Sequence, residues 1–459
     1  MKDLTNGSVM RNLLSTGVFM FVSMTFQTLY LLVDLYFVGR LGKDAVAAVT
    51  VSATLTFVVL AASQMVGVGT TALVAQASGR KDRDGARLVF NQSQGLSLAV
   101  GALFFVVAWL GRVDYARAQT ADAAVAALAV DYLGWFIPAM ALQFTIAATG
   151  AALRGTGNFA PGMFIQAGTV VLNMLLAPVL MFGWVSHHPL GVAGTALASF
   201  LSIILGAAAL TLYVVRAESY LRFRRDELKP RASLWARMLA IGLPAGAEFL
   251  ILFLYVLVVY QLTKPFGAAA QAGFGIGQRV VQCLFLPVVA LGFAVSPVAA
   301  QNFGARRPDR VRATFRAAAG LASVMMVLFT LLCHLIPDQM IGIFSRDPRV
   351  LAVGGEYLRT ISFTFLASGI IFVSSSMFQA LGNTLPALAS SAVRLGLVIV
   401  PAWHLSSSPG FQLRWIWLLS AAGMVVQVTC NLLLLRREFG RRLGAMVPAE
   451  APALAQGPR

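Results

Sequence analysis

Charge is what this sequence has least of. Only 12% of its 459 residues are Asp, Glu, Lys or Arg, and just 18 of them are acidic. A water-soluble domain ordinarily carries about 25% charged residues, so a soluble enzyme or binding module is excluded. Cysteine is equally sparse. Cys283, Cys333 and Cys430 are an odd set lying inside apolar runs, which excludes a disulfide framework. His187, His188, His334 and His404 lack ligand spacing, so no metal is assigned. No HExxH, P-loop or nucleophile elbow occurs, which argues against ATP hydrolysis and against an intramembrane enzyme, and no cofactor is expected.

Apolar length is what the chain has in excess, with 58% hydrophobic residues. Apolar blocks near 12–38, 46–77, 88–110, 125–152, 160–184, 190–215, 237–262, 268–300, 313–336, 352–380, 385–405 and 411–435 are each long enough to cross roughly 30 Å of hydrocarbon as a helix. Lipid leaves backbone groups unsatisfied, so only helices or a closed barrel can span it. Continuous runs rather than ten-residue alternations select helices. The expected fold class is an all-α polytopic membrane protein of twelve transmembrane helices. The first run continues past Val33 without a small-residue cleavage site and reads as a retained helix. The tail from about 444 is rich in Ala and Pro and is expected to be disordered.

The net charge of +17 resides in connecting loops, which favours membrane topology over a nucleic-acid partner. Loops after even-numbered helices, represented by Arg80, Arg225, Arg306 and Arg436, hold twenty Lys and Arg; those after odd-numbered helices, represented by Arg40, Arg112 and Arg346, hold eight. The positive-inside rule then puts both termini in the cytoplasm.

An internal repeat runs at a constant offset of 225 residues. Ala75-Gln76-x-x-Gly79 recurs as Ala300-Gln301-x-x-Gly304, followed by Asp84/Asp309 and Arg87/Arg312. Gly42 matches Gly267, Tyr132-Leu133 matches Tyr357-Leu358, and Gly157-Asn158-x-x-Pro161 matches Gly382-Asn383-x-x-Pro386. Six helices precede the duplicated unit, so both halves share one orientation, a parallel repeat about the membrane normal. The expected organisation is an N-terminal lobe 1–215, a cytoplasmic linker 216–236, a C-terminal lobe 237–437 and a tail 438–459.

Two acids cannot be placed in water: Asp34 in helix 1 and Glu248 in helix 7. An ionised acid at mid-helix costs about 2.5–3.5 kcal/mol on the lenient insertion scale, and such groups mark binding sites or pathways. Ser23, Gln27, Tyr30 and Asp34 recur at four, three and four residues and share one helical face. The blander alternatives are a hydrated carboxyl near the end of helix 1 and a protonated acid bonding a neighbouring helix. Arg279 and Arg394 are the intramembrane cations, which either neutralise an acid or snorkel to an interface.

These residues together resemble the multidrug and toxic compound extrusion (MATE) family. The resemblance covers roughly residues 10–437. It rests on Leu32-Val33-Asp34-x-x-Phe37-Val38-Gly39-Arg40-Leu41-Gly42, on Ala75-Gln76-x-x-Gly79-Arg80 with its repeat, and on Leu153-Arg154-Gly155-x-Gly157-Asn158. Gly191-Val192-Ala193-Gly194-Thr195-Ala196-Leu197-Ala198 and Gly242-x-Pro244-x-x-x-Glu248 complete it. The resemblance implies two six-helix lobes around a V-shaped cavity, and export of amphiphilic, often cationic compounds in exchange for protons or sodium. It further implies Asp34 as the coupling-ion carboxylate, Asn173 as its neighbour and Glu248 as a C-lobe cation contact.

Three departures bear on the coupling ion. Ala177 stands before Pro178 where a second acid is common, Phe19 replaces the helix 1 proline, and helix 10 has no acid. They favour protons over sodium. The expected protein is a monomeric proton-coupled multidrug antiporter of a bacterial inner membrane. Its coupling site is Asp34, Asn173, Tyr30 and Gln27, with Glu248 as substrate or second-ion contact; its partners are small-molecule drugs, organic cations and the lipid bilayer. The alternatives are a sodium-coupled exporter and a lipid-linked oligosaccharide flippase, which would line its cavity with several arginines.

Overall fold

Fifteen α-helices account for the described chain, a computed structural model covering residues 2–184, 188–218, 220–406, 408 and 410–446. The N-terminal half contains α1 (Val9–Gly39), α2 (Lys43–Val51), α3 (Ala53–Gly79), α4 (Arg83–Gln119), α5 (Ala123–Gly155), α6 (Ala160–Phe182) and α7 (Gly191–Ala217). The C-terminal half contains α8 (Ala232–Thr263), α9 (Ala268–Gly304), α10 (Pro308–Leu335), α11 (Pro337–Gly342), α12 (Pro348–Ser362), α13 (Phe365–Leu381), α14 (Leu385–Ser406) and α15 (Leu413–Gly444). Eleven helices, counting α2 with α3 as one, are long and apolar enough to span a bilayer; the bent pair α12–α13 makes the twelfth. The protein is thus an all-α multi-pass membrane protein.

Local chemistry sets the helix ends. Asp82, Asp122 and Asp347 cap α4, α5 and α12 by accepting backbone N–H groups of the first turn. Gly183 and Gly382 close α6 and α13 in the left-handed region. Among the described residues only Lys81 and Arg306 adopt positive φ without being glycine, at 60° and 55°. They sit at equivalent places in the repeat, so the duplication extends to backbone conformation.

Helix 10 is not the continuous 352–380 segment expected from the sequence. It bends by 58° between Ser362 and Phe365. Its freed Ser362 carbonyl accepts from the Thr330 hydroxyl of α10 at 2.8 Å. At the α2–α3 break the Val51 carbonyl likewise accepts from Tyr115 at 2.6 Å. Side-chain hydroxyls therefore meet the backbone requirement that lipid cannot. Two boundaries also move. α8 begins at Ala232, inside the expected linker, and α15 continues to Gly444, past the expected tail boundary at 438. The extension of α15 has a cause: Glu438 is buried and accepts from Asn383 at 2.9 Å and from Arg442 at 2.8 Å. Residues 447–459 of the expected tail lie outside the described residues.

The halves meet along α3 and α9, which pack on each other, while α3 also packs on α8 and α9 on α1. The end bearing the basic loops is closed. A Cβ on Gly79 would collide with the Gln301 carbonyl, and one on Gly304 with the Gln76 carbonyl, so only glycine permits this approach. The N-terminal segment straps over the same end. Lys2 N–H donates to Thr156 O at 3.0 Å and Leu4 N–H to Gln301 Oε1 at 2.9 Å. Outward, residues such as Leu103, Leu110, Val324 and Leu335 are exposed, the apolar face that lipid covers.

Candidate functional site

Asp34 lies five residues before the end of α1, opposite the closed end. Its Oδ1 is buried and has no hydrogen-bond partner. Tyr30, one turn earlier, turns its hydroxyl to Ser199 of α7 at 2.9 Å. Asn173 of α6 is buried and donates to the same Ser199 oxygen at 3.0 Å. Ser199 in turn donates to the Thr195 carbonyl at 3.1 Å. Tyr30 and Asn173 thus converge on Ser199 rather than on the carboxylate. Tyr132 of α5 is buried within electrostatic reach of both Asp34 and Tyr30. Gln27 is exposed and makes no hydrogen bond among the described residues, so it does not join the cluster there. Ser23 is buried. Ala177, also buried, offers no oxygen on its side chain.

Glu248 lies on α8 and is partly buried. Its Oε1 accepts from Ser375 of α13 at 3.0 Å and from Ser391 of α14 at 3.3 Å. Ser391 also accepts from Gln427 of α15 at 2.9 Å, and Gln427 Oε1 accepts from Arg394 at 3.3 Å. Arg394 stacks over the Tyr255 ring, 4.6 Å from its centroid. Glu248 and Arg394 are therefore linked through two neutral side chains, with no direct ion pair between them among the described residues. Arg279 is exposed on α9 and joins neither acid.

The two halves distribute their acids differently on one scaffold. Tyr255, the repeat counterpart of Tyr30, donates to Ser420 of α15 at 2.7 Å, as Tyr30 meets Ser199. The counterpart of Asp34 is the buried Val259, and the counterpart of Glu248 is Ser23. Eleven helical positions separate the two levels, about 16 Å along the axis. The sites are not copies of each other.

Ser199, Tyr132, Ser375, Ser391 and Gln427 were not singled out as site residues from the sequence. Tyr132 carried a usable signal, since Tyr132-Leu133 recurs as Tyr357-Leu358. The serines carried none: hydroxyls are common in membrane helices, and only packing reveals which face an acid.

The MatE family profile matches the chain twice, over residues 20–179 and 244–404. The probable multidrug resistance protein YoeA of Bacillus subtilis is 26% identical over 426 residues, covering 92% of each chain. The multidrug export protein MepA of Staphylococcus saprophyticus is 25% identical, covering 86% of each. A solved outward-facing conformation of a multidrug resistance MATE family transporter superposes with a TM-score of 0.88 at 21% identity, covering 97% of this chain and 98% of that one.

Proposed function

Since the chain belongs to the MatE family, a family of transporters and not of enzymes, we propose that it is a multidrug efflux antiporter that exchanges amphiphilic, often cationic compounds for protons. The observation that carries the choice of ion is the buried Asp34 Oδ1, to which no side chain or backbone group donates among the described residues. A hard cation is held by several converging oxygens. Here the Tyr30 hydroxyl and the Thr195 carbonyl are engaged with Ser199, Asn173 turns its Nδ2 donor to the same oxygen, and Ala177 supplies no oxygen, so one amide oxygen at most is left to join the carboxylate. A proton needs only the carboxylate. The proton also suits the mechanics, because neutralising Asp34 removes a charge from an apolar setting and alters how α1 packs on α6.

Transport by alternating access requires the closed end to open. The opening breaks the paired contacts of Gly79 and Gly304 with Gln301 and Gln76. A proton descending one pH unit releases about 1.4 kcal/mol, enough to sustain about a tenfold gradient of a monovalent cation exchanged one for one. Glu248 is the second acid in this reading and serves as a contact for cationic substrate or a second ion. The positive-inside rule puts the closed end, both termini and the linker in the cytoplasm of a bacterium, with the protein acting as a monomer in the inner membrane.

The test is transport in proteoliposomes. A pH gradient imposed without sodium should drive uptake of a fluorescent organic cation. Uptake driven by a sodium gradient alone, with no response to pH, would assign the coupling ion to sodium. The lipid-linked oligosaccharide alternative predicts no drug transport under either gradient.

A further inference from the structure

A small cavity lies on the seam between the halves, one step inward from the closed end. Gln64 and Thr71 of α3, Arg154 of α5, Phe293 and Ser296 of α9 and Gln379 of α13 line it. Its walls are pairs of the internal repeat: Thr71 faces the counterpart position Ser296, and Arg154 faces the counterpart position Gln379, each pair 225 residues apart. The cavity therefore sits on the pseudo-two-fold axis. Only one member of these pairs is charged.

Arg154 is set apart by what it lacks and where it points. Among the described residues no carboxylate and no hydrogen bond reaches its guanidinium. Glu248 is engaged with Ser375 and Ser391 of its own half, and Asp34 lies near the end of α1 opposite the closed end. The side chain does not snorkel to the near interface, although Arg154 is one residue from the end of α5. It folds back along its own helix, with Nη1 3.4 Å from the place a Cβ on Gly150 would occupy. The missing side chain at Gly150, one turn deeper, leaves that room. Behind it the exit is sealed: Gln301 Nε2 donates to the neighbouring Gly155 carbonyl at 2.9 Å, and Gln76 Nε2 to Ala380 at 2.9 Å.

An unpaired guanidinium held away from the interface and facing a polar cavity is costly unless something brings its counter-charge. Guanidinium is also the group best shaped to grip carboxylate or phosphate, through two parallel N–H donors. We infer that this seam cavity is an anion-recognition site, in which Arg154, lining it with Gln379 and Gln64, binds a carboxylate or phosphate oxygen of an amphiphilic substrate. Such a substrate directs only its acidic group to the sealed end, since the cavity holds about 10 Å³, and leaves its hydrophobic body outside. The inference rests on the transport reading and extends it, since Glu248 serves cationic groups and Arg154 would serve acidic ones. Zwitterions and organic acids fit the site.

The experiment measures equilibrium binding to the purified full-length protein by fluorescence anisotropy. Two matched probe pairs are used: tetramethylrhodamine free acid against its methyl ester, and riboflavin 5′-phosphate against riboflavin. In the wild type, the member bearing the acidic group should bind at least tenfold more tightly than its neutral-group partner in one pair or both. Preference within the rhodamine pair assigns a carboxylate, within the flavin pair a phosphate. Arg154→Gln should erase the preference, Arg154→Lys should keep part of it, and Arg154→Gln combined with Gln379→Arg should restore it by moving the charge across the axis. Gel-filtration profiles confirm folding of each variant. Probes that bind with no preference, or a preference unaltered in Arg154→Gln, overturn the inference while leaving the transport reading intact. If none of the four probes binds, both fall.

Discussion

Gln76 and Gln301 make the same bond in opposite directions across the seam. Gln76 Nε2 donates to Ala380 O and Gln301 Nε2 to Gly155 O, each at 2.9 Å. The acceptors are themselves repeat counterparts, so the closed end is built from one device used twice. Each bond caps the end of a helix in the other half and cannot survive separation of α3 from α9.

Replacing both glutamines by leucine should bias the protein toward opening at this end. Three hydrogen bonds are lost, the third being Leu4 N–H to Gln301 Oε1, and at about 1 kcal/mol each they correspond to a shift of about a hundredfold or more in the ratio of closed to open forms. Spin labels on the basic loops near Lys81 and Arg306 should report a new population at longer distance. A distance distribution identical to that of the wild type would mean the glutamines do not latch the seam.

A separate expectation concerns orientation. A single cysteine placed at Arg225 should be protected from an impermeant maleimide in intact cells, whereas one at Ser345 should react. The motive is the twenty-to-eight imbalance of Lys and Arg between the two sets of loops. Labelling of position 225 and not 345 would invert the protein in the membrane.

The architecture was legible in the sequence because lipid makes its demand residue by residue. Twelve apolar runs, the offset between Gln76 and Gln301 and the charge of the loops need no tertiary information. The breaks at Ser52 and after Ser362 were hidden, since they depend on hydroxyls from Tyr115 and Thr330 on other helices. The acids Asp34 and Glu248 stood out by their isolation, yet their surroundings did not. A helical face places Gln27 with Tyr30 and Asp34, but Gln27 is exposed and unbonded among the described residues, and Ser199, remote in sequence, collects the bonds instead. Arg154 was read as part of a motif near a helix end, where a snorkelling arginine is ordinary. Its direction back along α5 is visible only in three dimensions.

Glu248→Gln should reduce export of cationic compounds more than that of neutral ones, by about tenfold against about twofold at matched expression. The substitution keeps an oxygen for Ser375 and Ser391 but removes the charge, so folding is spared and attraction for cations is lost. A double-mutant cycle with Arg394→Gln should show coupling of at least about 0.5 kcal/mol, the lower bound for residues in one network, because Ser391 and Gln427 connect them. Strict additivity would disconnect Glu248 from Arg394, and equal losses for both compound classes would reduce Glu248 to a packing residue.

The last expectation separates Asp34 from the cluster beside it. Asp34→Asn removes the proton acceptor while nearly preserving volume, so substrate binding should persist and uptake driven by a pH gradient should fall to background, a loss of about a hundredfold or more. Ser199→Ala acts differently. It leaves the Tyr30 hydroxyl and the Asn173 amide without their shared acceptor, at a cost of about 1–3 kcal/mol for buried groups left unpaired, and Asp34, within electrostatic reach of Tyr30 and with an unpartnered Oδ1, is an acceptor the Tyr30 hydroxyl can turn to. The variant should therefore still transport, with its pH profile displaced relative to the wild type, because a donor newly directed at the carboxylate stabilises its charged form. Measuring initial rates across pH in proteoliposomes distinguishes the outcomes. If Asp34→Asn retains proton-driven uptake, the carrier is elsewhere and Glu248 is the remaining acid. If Ser199→Ala matches the wild type at every pH, Tyr30 and Asn173 serve packing alone and the coupling site reduces to Asp34.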